Sequence, residues 1–198
     1  MVRGFFITLV KIRRDEQLAA AKILGVKDVR FLPFEDGGMY DEVALRIEIA
    51  KVIAEIKPDV VIGPDHKLYP ESHPDHLRVG EAVSKAYFMC SNVNMMKSVG
   101  ATQIAKPTVL AYYFTGKPNR FVKITKKDFE KTKAAYACFV SQCPPPDNGK
   151  SLMLYMRLKV RLNGLRSFHI RADAFRVMNN MHIHCCGEAE ETAIRRPL

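Results

Sequence analysis

The segment Asp59-Val60-Val61-Ile62-Gly63 constrains the fold of this chain more than any other. Three consecutive β-branched residues between helical patterns are too short a run for a helix of their own. They read as a strand buried on both faces of a parallel sheet. Before them, Asp41 caps a helix whose apolar residues Val43, Ile47, Val52 and Ile53 recur at helical spacing, and Lys57-Pro58 ends it. After them, a loop over 64–72 leads to a third helix over about 74–88.

The same alternation extends in both directions. Residues 5–10 are β-branched and aromatic and predict a buried strand. Ile12, Leu18, Ala21 and Leu24 predict one face of a helix, with Gly25 at its C-cap, and 29–34 a second short strand. Residues 91–106 form an excursion without clear period. Strands are predicted over 108–114 and 121–124, separated by Gly116-Lys117-Pro118-Asn119. A helix runs from Thr125 to about Ser141, Pro144-Pro145-Pro146 breaks it, and a basic amphipathic helix covers about 152–165. This order predicts an α/β fold: a Rossmann-like, doubly wound, mostly parallel sheet with a smaller α/β C-terminal extension. Residues 1–198 read as one domain, of which 107–198 is the basic part.

Composition narrows the partners. The net charge is +10, and all of it sits beyond residue 100. A basic half can serve a polyanion. With no aromatic-basic motif and no helix-turn-helix pattern, a nucleic-acid partner is not expected. No apolar run approaches the roughly 20 residues that cross a membrane, and no membrane is expected. The apolar start runs into Lys11-Ile12-Arg13-Arg14 without a small-residue cleavage site, so it does not read as a secretory leader. Five irregularly spaced cysteines, Cys90, Cys138, Cys143, Cys185 and Cys186, suit a reducing cytoplasm.

Ligands of doubly wound sheets bind at the carboxyl ends of the strands, which singles out loops 33–40 and 64–76. The second contains Glu71-Ser72-His73-Pro74-Asp75-His76 at the start of a helix. His73 falls near the cap, Pro74 suits the first helical position, and Asp75 complements the positive helix end. His73 and His76 then project to the same side. Such a pair can ligate a borderline metal with one imidazole and stabilise an oxyanion with the other. A polar cap with exposed histidines fits the spacing equally well, because a catalytic zinc needs about three protein ligands.

Other candidates are weaker. On a strand His182 and His184 would share a face, but the adjacent Cys185 and Cys186 cannot readily serve one tetrahedral site. Asp173-Ala174-Phe175-Arg176 reads as a strand. The 152–165 helix has the pattern of a membrane-surface helix, and packing on the domain or on a sister subunit is the commoner use of such a face.

Several stretches together resemble one family. They are the run from Arg13 to Val26, Phe31-Leu32 with Asp36-Gly37, Lys57-Pro58-Asp59-Val60-Val61, and Glu71 to His76 with Gly80 and Ala82-Val83. These are similar to the LmbE/PIG-L family, zinc-dependent de-N-acetylases of N-acetylglucosamine-type substrates. Tyr112-Tyr113-Phe114, Lys117-Pro118-Asn119, Ile124-Thr125 and Ser141-Gln142 resemble its archaeal branch, which includes diacetylchitobiose deacetylases. The resemblance covers roughly 12–180, and His-Pro-Asp-His is its most specific motif.

The resemblance implies an amino-sugar substrate, Zn2+ as cofactor and a homo-oligomer. It implies that His76 is a zinc ligand and that His73, oriented by Asp75, stabilises the oxyanion or protonates the leaving amine. Arg13 and Asp36 match positions near the substrate. The implied reaction is metal-assisted amide hydrolysis with a carboxylate as general base.

The chain departs from this pattern in one large respect. The family opens with a strand ending in His-Pro-Asp-Asp, whereas the one His-Pro pair here is His73-Pro74. Two expected metal ligands and the general base therefore lack counterparts. Truncation at the N-terminus is the favoured explanation, with a degenerate paralogue or completion by another chain as alternatives. The expectation is a protein with an incomplete site, one that is marginal or aggregates as it stands and binds zinc weakly, unless residues 5–10 fill the vacant central slot. A non-catalytic polyanion binder is the alternative function. Phe139 stands where the family often has a histidine.

Overall fold

The computed structural model describes residues 2–69 and 71–184. In chain order the elements are α1 (Val2–Leu24), α2 (Glu42–Ile56), β1 (Val60–Pro64), α3 (Pro74–Met89), α4 (Val93–Ser98), β2 (Val109–Tyr113) and β3 (Arg120–Lys123). They continue with α5 (Lys126–Tyr136), a 3-10 turn at Val140–Gln142, α6 (Lys150–Arg166), β4 (Ala172–Met178) and α7 (Asn180–His184). The class is α/β. The sheet has four strands in the order β1-β2-β4-β3. β1 and β2 are parallel, with Val61 opposite Leu110 and Gly63 opposite Tyr112. β2 and β4 are antiparallel, with Tyr112 opposite Arg176.

The chain divides into two compact units, Met1–Phe31 with Val122–Asp173, and Leu32–Phe121 with Ala174–Leu198. In the first, α1 packs on α5. Glu16 accepts hydrogen bonds from the Ser141 amide and hydroxyl, both at 2.7 Å. Thr125 caps α5 reciprocally with Asp128. α6 packs through Val160, Asn163 and Gly164, with Gly164 too close to the backbone of His169 and Arg171 to admit a Cβ.

The strand predicted over 5–10 is instead the first part of α1. Nothing between Phe5 and Leu24 breaks a helix, and β propensity in a short apolar run is a weak prior. Residues 5–10 therefore fill no slot in the sheet. Gly25 ends α1 as expected, at φ +83, with Val26 N–H bonded to Ala21 O and Gly25 N–H to Lys22 O. Of the predicted apolar face only Ala21 is buried; Ile12, Leu18 and Leu24 are exposed.

The second unit holds the main core. Ala50, Ile53 and Ala54 of α2, Val61 of β1, and Val83, Ala86, Tyr87 and Met89 of α3 pack with Met96, Leu110, Tyr112 and Met178. Asp41 caps α2 by accepting the amides of Val43 and Ala44 at 2.7 and 3.0 Å. Lys57 closes it in the left-handed region, held by its N–H to Ile53 O.

Three expectations change in this unit. Residues 29–34 belong to no strand, because Pro33 has no N–H for a ladder. β1 is buried on one face only, with Val60 and Ile62 46% and 56% exposed. It lies at the end of the sheet order, so the covering expected of a central parallel strand does not apply. Within 91–106, Asn92 caps the short helix α4, which buries Met96. His182 lies on a helix, where a spacing of two does not share a face. Cys185 and Cys186 lie outside the described residues.

Candidate functional site

The site is built at the carboxyl end of β1, in the second unit. Gly80 lets α3 approach the Pro64 carbonyl and the His66 amide, where a side chain at 80 would collide with backbone. The next residue, Asp65, is 3% exposed and forms a two-pronged ion pair with Arg176 of β4. Arg176 in turn lies 4.3 Å over the Tyr112 ring. Burial acts to raise the Asp65 pKa, but the Arg176 guanidinium, the Thr115 hydroxyl and the Lys67 amide together outweigh it and hold the carboxyl below its ordinary value. Asp65 also accepts the Lys67 amide at 3.0 Å, so the loop leaves the strand in a fixed direction.

His73 is the N-cap of α3, with Pro74 following in the first turn. Its Nδ1 accepts the Asp75 amide at 3.3 Å. Asp75 Oδ2 accepts the Gly37 amide at 2.8 Å, which ties loop 33–40 to the start of α3. Gly38, at φ +73, lies against Pro74, where a Cβ would come within 2.8 Å of the ring. Arg78 donates to the carbonyls of Gly38 and Tyr40 and holds the loop from the other side.

Asp75 Oδ1 is buried and meets no partner at ordinary hydrogen-bond geometry. Burial pushes its carboxyl up, but the Gly37 amide and the nearby Asp36 and Tyr40 side chains pull it below the usual value. Burial and then the Asp75 carboxylate push the Tyr40 phenol up to about 12. Ligand atoms of Asp36, His73 and Asp75 all lie within 4.8 Å of one another, a donor set that suits a divalent cation.

His76 stacks on His73 with ring centroids 4.6 Å apart and planes inclined by 22°. Its Nδ1 lies 2.8 Å from Glu71 Oε2. Glu71 Oε1 accepts the amides of Ser72 and His73 at 2.9 and 2.8 Å. The His76 hydrogen bond first, and the His73 amide second, hold the Glu71 carboxyl down to about 2. An ionised carboxylate only accepts, so the neutral His76 ring carries its proton on Nδ1 and leaves the Nε2 lone pair open. His73 has the reverse arrangement. Its Nδ1 accepts, so the neutral ring carries its proton on Nε2 and presents a donor. Two stacked imidazoles thus offer opposite chemistry: His76 a ligand atom, His73 an N–H.

The structure brings Asp36, His73, Asp75 and His76 into the same unit, at loop 33–40 and the start of α3. Arg13 is an exposed residue of α1, in the other unit. The sequence reasoning did not assign Glu71, Tyr40, Arg78 or the Gly37 amide. Glu71 lies five residues before His76, a spacing with no meaning until the loop turns. Gly37-Gly38 was readable as a turn, but its approach to Asp75 is a tertiary contact.

The chain resembles known proteins in both sequence and fold. Residues 4–87 match the family described as PIG-L, GlcNAc-PI de-N-acetylase. The chain is 32% identical over 178 residues to diacetylchitobiose deacetylase of Thermococcus kodakarensis, covering 88% of this chain and 65% of that protein. It is 39% identical over 83 residues to a probable N-acetyl-alpha-D-glucosaminyl L-malate deacetylase 2 of Bacillus anthracis, covering 40% of this chain and 35% of that one. Among solved structures, N,N'-diacetylchitobiose deacetylase from Pyrococcus horikoshii, complexed with its inhibitor MPG, superposes with a TM-score of 0.79 at 29% identity. That match covers 89% of this chain and 67% of the neighbour. The chain therefore spans about two thirds of the length of both archaeal deacetylases. Over residues 4–87, and in a fold shared across most of its length, the chain is similar to the PIG-L (LmbE) family.

Proposed function

We propose that this protein is a metal-dependent amide hydrolase that removes N-acetyl groups from N-acetylglucosamine-type sugars. The observation that carries the reading is the opposed pair His73 and His76 beside two carboxylates, in a chain similar to deacetylases of such sugars. The donor set suits the metal: Asp75 Oδ1 is buried with no partner at ordinary hydrogen-bond geometry, and Glu71 leaves Nε2 of the neutral His76 ring open.

His76 would hold Zn2+ through Nε2, oriented by Glu71. Asp36, His73 and Asp75 are the competing donors, but an ion on His73 Nδ1 would have to displace the Asp75 amide that caps the helix. When bound, zinc polarises the acetyl carbonyl and lowers the pKa of a water molecule. His73 would donate its Nε2 proton to the developing oxyanion or to the leaving amine. Asp75, locked to Gly37, would keep His73 in place, and Asp36 would accept from sugar hydroxyls. Arg13 is assigned to the substrate by the resemblance alone. The protein would work as a homo-oligomer in the cytoplasm.

A second reading, sugar binding without turnover, is favoured by the engagement of the site carboxylates, Glu71 with His76 and Asp75 with the Gly37 amide. The two are separated by measuring zinc affinity and acetate release on the same samples. H76A is expected to lose zinc binding, and H73A to retain it while losing activity. Equal zinc affinity in H76A and wild type would overturn the ligand assignment. A zinc-loaded protein that binds sugar but frees no acetate would favour the second reading.

A further inference from the structure

The geometry points to Phe114 as a stacking platform for the pyranose ring of the substrate, a subsite of the amino-sugar reading above and dependent on it. Phe114 follows the last residue of β2, at the carboxyl end of the strand parallel to β1. That is where an open α/β sheet presents its ligands. Its ring centroid lies 6.2 Å from that of His76, with the planes inclined by 39°. The Tyr113 ring braces it edge-on at 5.1 Å. Phe114 nonetheless remains 48% exposed beside His76.

The backbone marks this position as well. Phe114 has φ +52, in the left-handed region that bulky residues avoid. Asparagine or glycine would occupy that conformation at lower cost. A large aromatic there gives up backbone stability and, being half exposed, recovers only part of it through burial. Strain of this kind collects where a side chain has to be aimed. Here it places an aromatic ring beside the His76 imidazole that would bind the metal.

A sugar matches that surface chemically. One face of a glucosamine-type pyranose presents axial C–H groups, which pack on an aromatic face, while its hydroxyls and acetamido group stay at the edge for polar partners. Binding sites for small ligands combine such an apolar wall with a few convergent polar groups. Phe114 supplies the wall, and Asp36 and the two histidines supply the polar groups. The platform would orient the ring, and the acetamido group would then face His73 and His76.

The test is calorimetric titration of N,N'-diacetylchitobiose into wild type, F114N, F114L and F114W. Asn suits the left-handed backbone, so F114N should melt at or above the wild-type temperature while its sugar affinity falls at least about tenfold. F114L, which keeps apolar bulk without a π face, should weaken binding similarly. F114W should bind within a few-fold of wild type. It introduces the sole tryptophan of a chain that has none, and its emission should shift as sugar is added. Wild-type affinity in folded F114N and F114L, or a sugar-insensitive tryptophan in F114W, would overturn the subsite alone. A wild-type protein that binds no N-acetylated sugar would overturn the subsite together with the reading it rests on.

Discussion

Glu71 Oε2 lies 2.8 Å from Nδ1 of His76, and the other oxygen of the same carboxylate is occupied by the amides of Ser72 and His73. The carboxylate is thus fixed by backbone before it meets the imidazole, and it dictates which nitrogen of His76 is protonated. Replacement of such a partner typically costs 10- to 100-fold in metal affinity. E71A should weaken zinc binding by about that factor in a chelator competition, and E71Q by less, since Gln still accepts from Nδ1–H. Nitrogen-edited NMR of the wild-type protein should find the His76 proton on Nδ1. Unchanged zinc affinity in E71A would remove Glu71 from the account.

The Asp65–Arg176 pair predicts a mutational asymmetry. Both side chains are nearly fully buried, so removing one leaves an uncompensated charge. D65N should cost about 3–5 kcal/mol in chemical denaturation, whereas D65L/R176M should be close to wild type.

The same pair carries a pH dependence. Asp65 is held below its ordinary value of 3.8, so the stability it contributes is complete above that pH and is lost as pH falls through the lower folded value. Melting temperature in wild type should therefore fall below pH 4, and this component should be missing from D65L/R176M.

Gly80 predicts a coupling between packing and the site. A methyl at this position meets the Pro64 carbonyl and approaches the His66 amide to 3.0 Å, both of them backbone atoms that cannot swing away. G80A should cost about 1–3 kcal/mol by overpacking. It should also weaken zinc binding, because α3 carries His76 and the displaced loop carries Glu71. An alanine variant with wild-type melting and zinc affinity would show that α3 and β1 have room to spare.

What could be read from the sequence depended on how local each signal was. Asp41, Lys57-Pro58, Gly25 and Thr125 are signals whose partners lie within a few residues, and each marks a helix end in the structure. The 74–88 helix and its cap were legible because His73, Pro74 and Asp75 are consecutive. Residues 5–10 misled, since the same apolar run suits a strand or a helix and only the uninterrupted sequence up to Leu24 decides between them. The half-exposed face of β1 was not legible either, because burial depends on the neighbours of a strand and not on its own composition. At the site, the resemblance drew attention to His73, Asp75, His76 and Asp36. Glu71, Tyr40 and Phe114 take their meaning from rings and carboxylates brought together across loops.

The central claim is that His76 and His73 divide the work of amide hydrolysis on an N-acetylated sugar. Acetate release from N,N'-diacetylchitobiose by zinc-loaded protein, compared among wild type, H76A and H73A, tests it most directly. The account predicts release by the wild type that a chelator abolishes and that H76A lacks. In H73A, zinc should remain bound while the rate falls by roughly 10²- to 10³-fold, the scale of losing one oxyanion donor. Release that survives chelation or H76A, or a wild-type protein that holds zinc and sugar yet frees no acetate, would contradict it.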